Sequence, residues 1–437
     1  MLKIITIFSF LLFFLTQAVA QEMQYTYDII GKLTSKEFAG RGYVNGGHLK
    51  AAQYIENQYR SLKLKPGPSG YFQNFNVVVN TFGGSMDLAF NGCETKPGKD
   101  FILMPYSGGG KGTFQPFIVK SKNLKTKEGL EEFINKDLTE KVLVIEQGKA
   151  DKIKDDENVL KYLLKEKLIS PKAIILVTHE KLTASYSDFQ INIPFVIFKA
   201  QEFPTIVKSV KFNIDAKVKN VVSQNVIGHI PGILHPDTFI VVSAHYDHLG
   251  TLGKDVYFPG ANDNASGVSM MLQLAKYFDT HADPRNYTIV FIAFGGEELG
   301  LKGSEHYVYS PIYPLAQTKF VLNLDIVGTG DNGIKVVNGN EYPKEFNQLK
   351  ALNEKGGYLS GVFSRGKARN SDHYYFTENG VKAFFIYTLG GSPAYHDIQD
   401  NVKNLTLYEY KNVFSLLRDF LLTQNSSAPN HVEILKN

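Results

Sequence analysis

The chain contains a single cysteine, Cys93. One thiol builds neither a disulfide framework nor a cysteine-rich zinc module, so both are excluded. Charge of one sign is also scarce. Lys and Arg total 47 and Asp and Glu total 43, which leaves +4 over 437 residues. So small an excess argues against nucleic acid or an anionic membrane surface as partner. Beyond the N-terminus there is no apolar run of spanning length, and no segment repeats at a fixed period. What is present is a globular composition, 43% hydrophobic and 21% charged. The chain is long enough for two or three domains.

Residues 1–20 read MLKIITIFSFLLFFLTQAVA. Lys3 supplies a short positive region, Ile4 to Leu15 the apolar stretch, and Ala18-Val19-Ala20 a small-residue cleavage site. That order is the order of a secretory signal peptide. The apolar stretch falls short of the roughly 20 residues that cross a bilayer, which favours cleavage over an anchor. No cysteine follows it to accept a lipid. The expectation is a mature chain from about Gln21, without a membrane span, periplasmic or secreted.

From Tyr27 to Leu62 the pattern is helical, with Leu49, Ala52, Ile55, Tyr59 and Leu62 on one face, and the run 65–70 (KPGPSG) stops it. Phe72 to Val79 reads as a strand, ended by Gly83-Gly84. Between about 85 and 218, β-type runs at 141–145 (KVLVI), 173–177 (AIILV) and 194–198 (PFVIF) alternate with charged stretches at 120–132 and 149–167. Such stretches are solvated helix or loop faces. From Asn225 onward, near-continuous apolar runs at 239–244, 288–294, 320–326 and 383–387 alternate with helical patterns at 266–278, 342–353 and 407–422. This predicts an α/β fold, a sheet buried between helices. Chemistry in such sheets gathers beyond the carboxyl ends of the strands.

Five segments place acids and histidines there. The first is His245-Tyr246-Asp247-His248. The second is 260–267 (GANDNASG), which alone is a helix N-terminus with good capping residues. The third is Glu297-Glu298 between glycines, where a nearby cation would relieve the repulsion of adjacent carboxylates. The fourth is Asp325 at the end of an apolar run, costly unless paired or bound to metal. The fifth is Tyr395-His396-Asp397 in a Gly/Pro loop. Each alone is unremarkable. Together, in order and each at a strand end or in the loop beyond it, they form a set that zinc accepts without cysteine. Two zinc ions carry +4. Three carboxylates and a bridging hydroxide bring the site near neutrality, and a shared carboxylate and water suit two metals about 3.5–4 Å apart.

The motifs HYDHLG, PGANDNASG, FGGEELGLKGSEHY, NLDIVG and YHDIQD, in that order and spacing, resemble those of the M28 (clan MH) zinc aminopeptidases. Ala39-Gly40-Arg41-Gly42 and Tyr71-Phe72-Gln73-Asn74-Phe75 are similar to the family's opening. The resemblance implies a mixed-sheet zinc exopeptidase core with helices on both faces, formed by 21–84 and 219–437. It also implies a mainly-β insert at 85–218 that resembles a protease-associated (PA) domain. It implies two zinc ions per chain and peptide substrates. Asp263 would bridge the metals, His245 and Asp325 would complete one, and Glu298 and His396 the other. Glu297 would be the general base, and Asp247 would hold the His245 tautomer. After the final histidine the family often has Asp-Thr where this chain has Asp400-Asn401, which bears on a helix cap. Ser371-Asp372-His373 matches a segment near the family's substrate pocket and reads equally as a helix cap.

Relatives with other chemistry on this fold stay open. A carboxypeptidase or dipeptidase needs a cation, usually Arg, for a free carboxylate, and 380–396 has none, although Arg365 and Arg369 precede it. Glutaminyl-cyclase-like relatives share the metal motifs, but DNASG after the bridging Asp is more typical of aminopeptidases. A metal-free binding domain of this architecture would have lost ligands, and all five are present.

Overall fold

The computed structural model describes residues 23–281 and 285–426. The expected signal peptide lies outside them. Among the described residues no helix is long and apolar enough to cross a membrane.

A nine-stranded mixed sheet carries the site. Its main strands are β1 (Phe72–Thr81), β2 (Lys217–Ile230), β3 (His235–His245), β4 (Tyr287–Phe294), β5 (Thr318–Leu324), β6 (Ile334–Val337), β7 (Val362–Arg365) and β8 (Ala383–Thr388). The order is Lys65–Pro66, β2, β4, β3, β5, β8, β6, β7, with β1 also paired to β2. At its centre β3 runs parallel to β4 and β5, and β5 parallel to β8. Four carboxyl ends therefore point the same way.

Alternation along the strands explains why helices cover both faces. Ile240, Val242, Ala244, Phe291 and Leu322 face one core, where α1 (Gly47–Ser61), α2 (Gly267–Thr280), α4 (Pro343–Gly356) and α6 (Tyr410–Asn425) pack. Val241, Val290, Ile292 and Val321 face the other, against α3 (Lys302–Tyr309) and α5 (His373–Glu378). The central strands and α2, α4 and α6 lie within a few residues of their sequence expectations.

Two expectations shift locally. The helical pattern over 27–62 is interrupted at Lys36–Arg41, where Ala39, Gly40 and Arg41 all take positive φ (45, 62 and 51°). A side chain on Gly40 would lie 2.3 Å from the Gly250 carbonyl oxygen, so the chain can only pass there as glycine. In α1, Ala52, Ile55 and Tyr59 are buried as expected, but Leu49 is 48% exposed. The strand expected over 320–326 ends at Leu324, because Ile326 turns at φ 58°. Asp325 thus sits just past the strand rather than within it.

The inserted segment forms its own sheet, in the order Cys93–Glu94, Met86–Phe90, Val210–Ile214, Gly110–Lys120, Lys141–Glu146, Ala173–Thr178, Phe195–Lys199, Phe101–Leu103. Its eight strands outweigh its two α-helices. Gly110–Lys120 through Phe195–Lys199 are four parallel strands, and parallel neighbours need crossovers. The charged stretches provide two of these, Lys127–Ile134 and Ile153–Lys165, which bury Phe133, Leu160 and Leu163 and leave their lysines outside. The segment leaves and returns at one point. Ser85 and Asp215 exchange hydrogen bonds, and the ladder of β1 and β2 begins at Thr81 opposite Lys217.

Candidate active site

His245 is the last residue of β3, Glu297 and Glu298 follow β4, Asp325 follows β5, and His396 lies in the loop after β8. Asp263 comes from the turn that leads into α2. The sheet therefore brings all five expected ligands to one end. Asp263 stands at the centre. Its Oδ1 lies 3.3 Å from His245 Nε2, which is also 3.2 Å from Asp325 Oδ1. Its Oδ2 lies 3.1 Å from His396 Nε2, which is also 3.1 Å from Glu298 Oε2. One carboxylate thus divides its oxygens between two histidine–carboxylate pairs.

These distances test whether a metal fits. Tetrahedral zinc with bonds of about 2.0–2.2 Å spaces its donors about 3.3 Å apart. The four observed separations, 3.1–3.3 Å, agree with that spacing. The tautomers agree as well. A carbonyl only accepts, so His245 Nδ1 donates to Asp247 O at 3.2 Å and His396 Nδ1 donates to Ala184 O at 2.9 Å. Each ring is left with Nε2 directed at carboxylates, where either a proton or a cation must sit.

Electrostatics tell the same story. Burial would lower His396, but Glu298 and Asp263 raise it to about 11. His245 is likewise raised well above its usual value against its own burial, by Asp325 and Glu297. Burial would raise Glu298, but His396 and His248 hold it at about 2. Asp263 is held well below the usual range against its burial, by hydrogen bonds from His245 and His396. Glu297 behaves in the opposite way. Burial, reinforced by Asp325, Glu298 and Asp372, pushes it well up despite His245. Of the adjacent pair, one carboxyl is pulled down and the other pushed up.

The surroundings divide roles the sequence had merged. The Asp247 carboxylate is 3.8 Å from His245 Nδ1, so the main-chain oxygen orients that ring. The carboxylate instead accepts the amides of Glu297 (3.1 Å) and Glu298 (3.4 Å), which aims the glutamate pair. Ser371 and Asp372 do not cap α5, which has no side-chain cap. Ser371 Oγ donates to Asp325 Oδ2 at 2.8 Å, and buried Asp372 accepts from Ser304 at 2.5 Å. Asp400 accepts the amides of Asn262 (2.8 Å) and Asp263 (3.0 Å) and thereby fixes the central turn.

Two residues with no role assigned from sequence are built into the site. His248 donates from Nδ1 to Glu298 Oε1 at 2.7 Å, and His248, Asp263 and Glu298 lie close enough together for one ion. Its place in HYDHLG, beside Asp247, was the available signal. At 2.7 Å the His248 contact is a hydrogen bond with no room for an ion between, whereas His396 reaches both Asp263 and Glu298 at metal-ligand spacing. Similarly, His245, Glu297 and Asp325 could share an ion. Arg41, fully buried, donates to five main-chain oxygens: Tyr246 (2.8 Å), Leu33 (3.1 Å), Pro259 (2.6 Å), Gly260 (2.8 Å) and Asp263 (3.3 Å). It stitches the turn carrying Asp263 to the strand end carrying His245.

The fold and this constellation define a metallopeptidase-type α/β domain with paired ligand sets at its strand ends. Residues 225–421 match Peptidase family M28. Aminopeptidase YwaD of Bacillus subtilis (strain 168) is 28% identical over 400 residues, which span 88% of this chain and 80% of that protein. A crystal structure of BSAP, a zinc aminopeptidase from Bacillus subtilis, shares the fold at a TM-score of 0.69 and 24% identity, over 92% of this chain and 95% of that one. An aminopeptidase from Aneurinibacillus sp. strain AM-1 does so at 0.62 and 23%, over 91% and 92%. Within residues 225–421 the chain is thus similar to that peptidase family.

Proposed function

We propose that the protein is an exported metallo-exopeptidase that holds two zinc ions and releases residues from the free N-termini of peptides. The observation that carries the reading is the Asp263 carboxylate, whose two oxygens face two separate histidine–carboxylate pairs at 3.1–3.3 Å. His245 and Asp325 would hold one ion and Glu298 and His396 the other, with Asp263 between them. Bound there, a zinc pair polarises the scissile carbonyl and lowers the pKa of water toward neutrality.

The chain's own residues supply the proton traffic. Glu297, which burial and the neighbouring carboxylates make ready to hold a proton, takes one from the attacking water and passes it to the leaving amine. Asp247 keeps Glu297 in place through its amide. Buried carboxylates, including Asp372, favour an ammonium over a carboxylate on the substrate. The nearby arginines are engaged elsewhere. Arg41 is taken up by main-chain oxygens, and Arg369 donates to Tyr375 at 2.9 Å. The name of the YwaD relative supports the same direction of cutting. Export rests on the pattern of residues 1–20.

The test combines elemental analysis with a mass-spectrometric time course on a free peptide and its N-acetylated form. The reading expects about two zinc per chain, sequential loss from the N-terminus, and resistance of the acetylated peptide. Loss from the C-terminus, or equal cutting of both peptides, would contradict it.

A further inference from the structure

The inserted segment touches the peptidase domain at an informative place. The loop between its strands Ala173–Thr178 and Phe195–Lys199 reaches the turn that carries His396. Lys181 Nζ donates to Pro393 O and Tyr395 O, both at 2.8 Å, and pairs with Asp397 Oδ2 at 2.7 Å. Ala184 makes a reciprocal pair with His396. Its amide donates to the His396 carbonyl at 2.9 Å, and its carbonyl accepts from His396 Nδ1 at 2.9 Å. Tyr186 OH donates to His248 O at 3.3 Å. Three consecutive residues, 395–397, are thus held from outside their own domain. They need holding. His396 has φ 53°, a left-handed conformation that a residue with a Cβ adopts at a cost.

We propose that residues 181–186 are a positioning strap, by which the insert sets the metal affinity of the His396 side of the site and leaves the His245 side alone. The asymmetry follows from the contacts. His245 takes its Nδ1 partner, Asp247 O, from its own strand end, whereas His396 takes its partner from the insert. The insert therefore selects the His396 tautomer that frees Nε2, and Lys181 clamps the backbone just before it and the Asp397 carboxylate just after it. Outer partners of metal-ligating histidines typically change affinity about 10–100-fold when removed. Lys181 acts one step further out, through the backbone of 395–397, so the lower end of that range applies.

The proposal rests on the reading of His396 as a ligand, and the experiment separates the two. Zinc affinities of the full chain are measured by chelator competition for wild type, Lys181→Met, Asp397→Asn, the double variant and His396→Ala. The strap predicts that Lys181→Met weakens one of two zinc equivalents about tenfold and spares the other. The double variant should lose less than the sum of the singles. Rescue by Lys181→Arg, which keeps the charge and the reach, should be substantial. Unchanged affinity of both equivalents in Lys181→Met, or equal weakening of both, overturns the strap. His396→Ala that still binds two equivalents at wild-type affinity overturns the ligand assignment instead. Lys181 is partly exposed, so its loss does not threaten the fold.

Discussion

Replacing Arg41 by methionine tests whether the site is held together by a single buried guanidinium. Five main-chain oxygens receive its hydrogens. Gly260 O keeps a second donor, the Ala265 amide at 3.2 Å, and the other four lose their bond from Arg41. Bonds from a charged donor are worth about 1.5 kcal/mol each at the low end, so about 6 kcal/mol is lost. Relief of burial opposes this. Burial outweighs the pull of Asp400, Asp263, Asp247 and Glu298, so the guanidinium falls from 12.5 to about 10. At about 1.4 kcal/mol per pH unit, removing that charge returns about 3 kcal/mol. The net loss is about 3 kcal/mol, which at about 2–4 °C per kcal/mol lowers Tm by roughly 6–12 °C. Arg41→Lys keeps the charge but not the fork that spans oxygens on separate loops, and should recover little. Differential scanning calorimetry and zinc analysis read both effects. Because Asp263 and His245 are stitched by the same fork, zinc retention should fall along with Tm. A methionine variant with wild-type Tm and full zinc would refute the reasoning.

Glu297→Gln should retain zinc, measured by elemental analysis, while turnover on a chromogenic aminoacyl substrate falls about 10²–10⁴-fold, the usual worth of a general base; zinc lost in parallel would instead mark Glu297 as a ligand. In the metal-free protein, burial pushes Asp247 and Asp372 up to about 7 from 3.8. The folded state thus binds protons more tightly than the unfolded one, and stability falls as pH rises from about 4 to 7. Asp372→Asn should flatten the Tm-versus-pH slope of EDTA-treated protein in that window, and an unchanged slope would exclude the effect. Gly260→Ala should cost stability and zinc together. Its Cβ would lie 2.2 Å from Asp263 O and 2.4 Å from His248, at φ 60°; a variant with normal metal content would show that the turn can yield.

The central strands were legible because burial on both faces leaves unbroken apolar runs; four of the five expected ligands stand out because each comes after such a run, and Asp263 because it sits in a polar turn ahead of a helix. The supporting residues were less so. Arg41 reads as one more cation in a glycine-rich turn, and nothing local reveals that it donates to oxygens some 200 positions away. Asp400 has the same difficulty, since its partners are amides, which any residue offers. Ser371 and Asp372 looked like a helix cap because sequence shows neighbours along the chain and not those across a site. The insert's helices were hidden by their charge. Phe133, Leu160 and Leu163 are buried and Leu130, Ile134, Ile153, Val159 and Leu164 pack half-buried beside them, an apolar stripe masked by the many lysines around it.

The point where the insert joins has a consequence for how the chain assembles. Thr81 lies directly opposite Lys217, so the whole insert occupies the tip of a β-hairpin. Closing a loop becomes harder only with the logarithm of its length. About five doublings, from a tight turn to this insert, add roughly 3 kcal/mol, far less than the insert's own core returns once it has formed. A segment with its own sheet, and with most of its core drawn from its own residues, can also fold first and bring Ser85 and Asp215 together. The hairpin register is then set by a preformed unit rather than by diffusion of its ends. The edge ribbon of the peptidase sheet should close after the insert, so damage to the insert's core should delay maturation of a site to which it contributes no expected ligand.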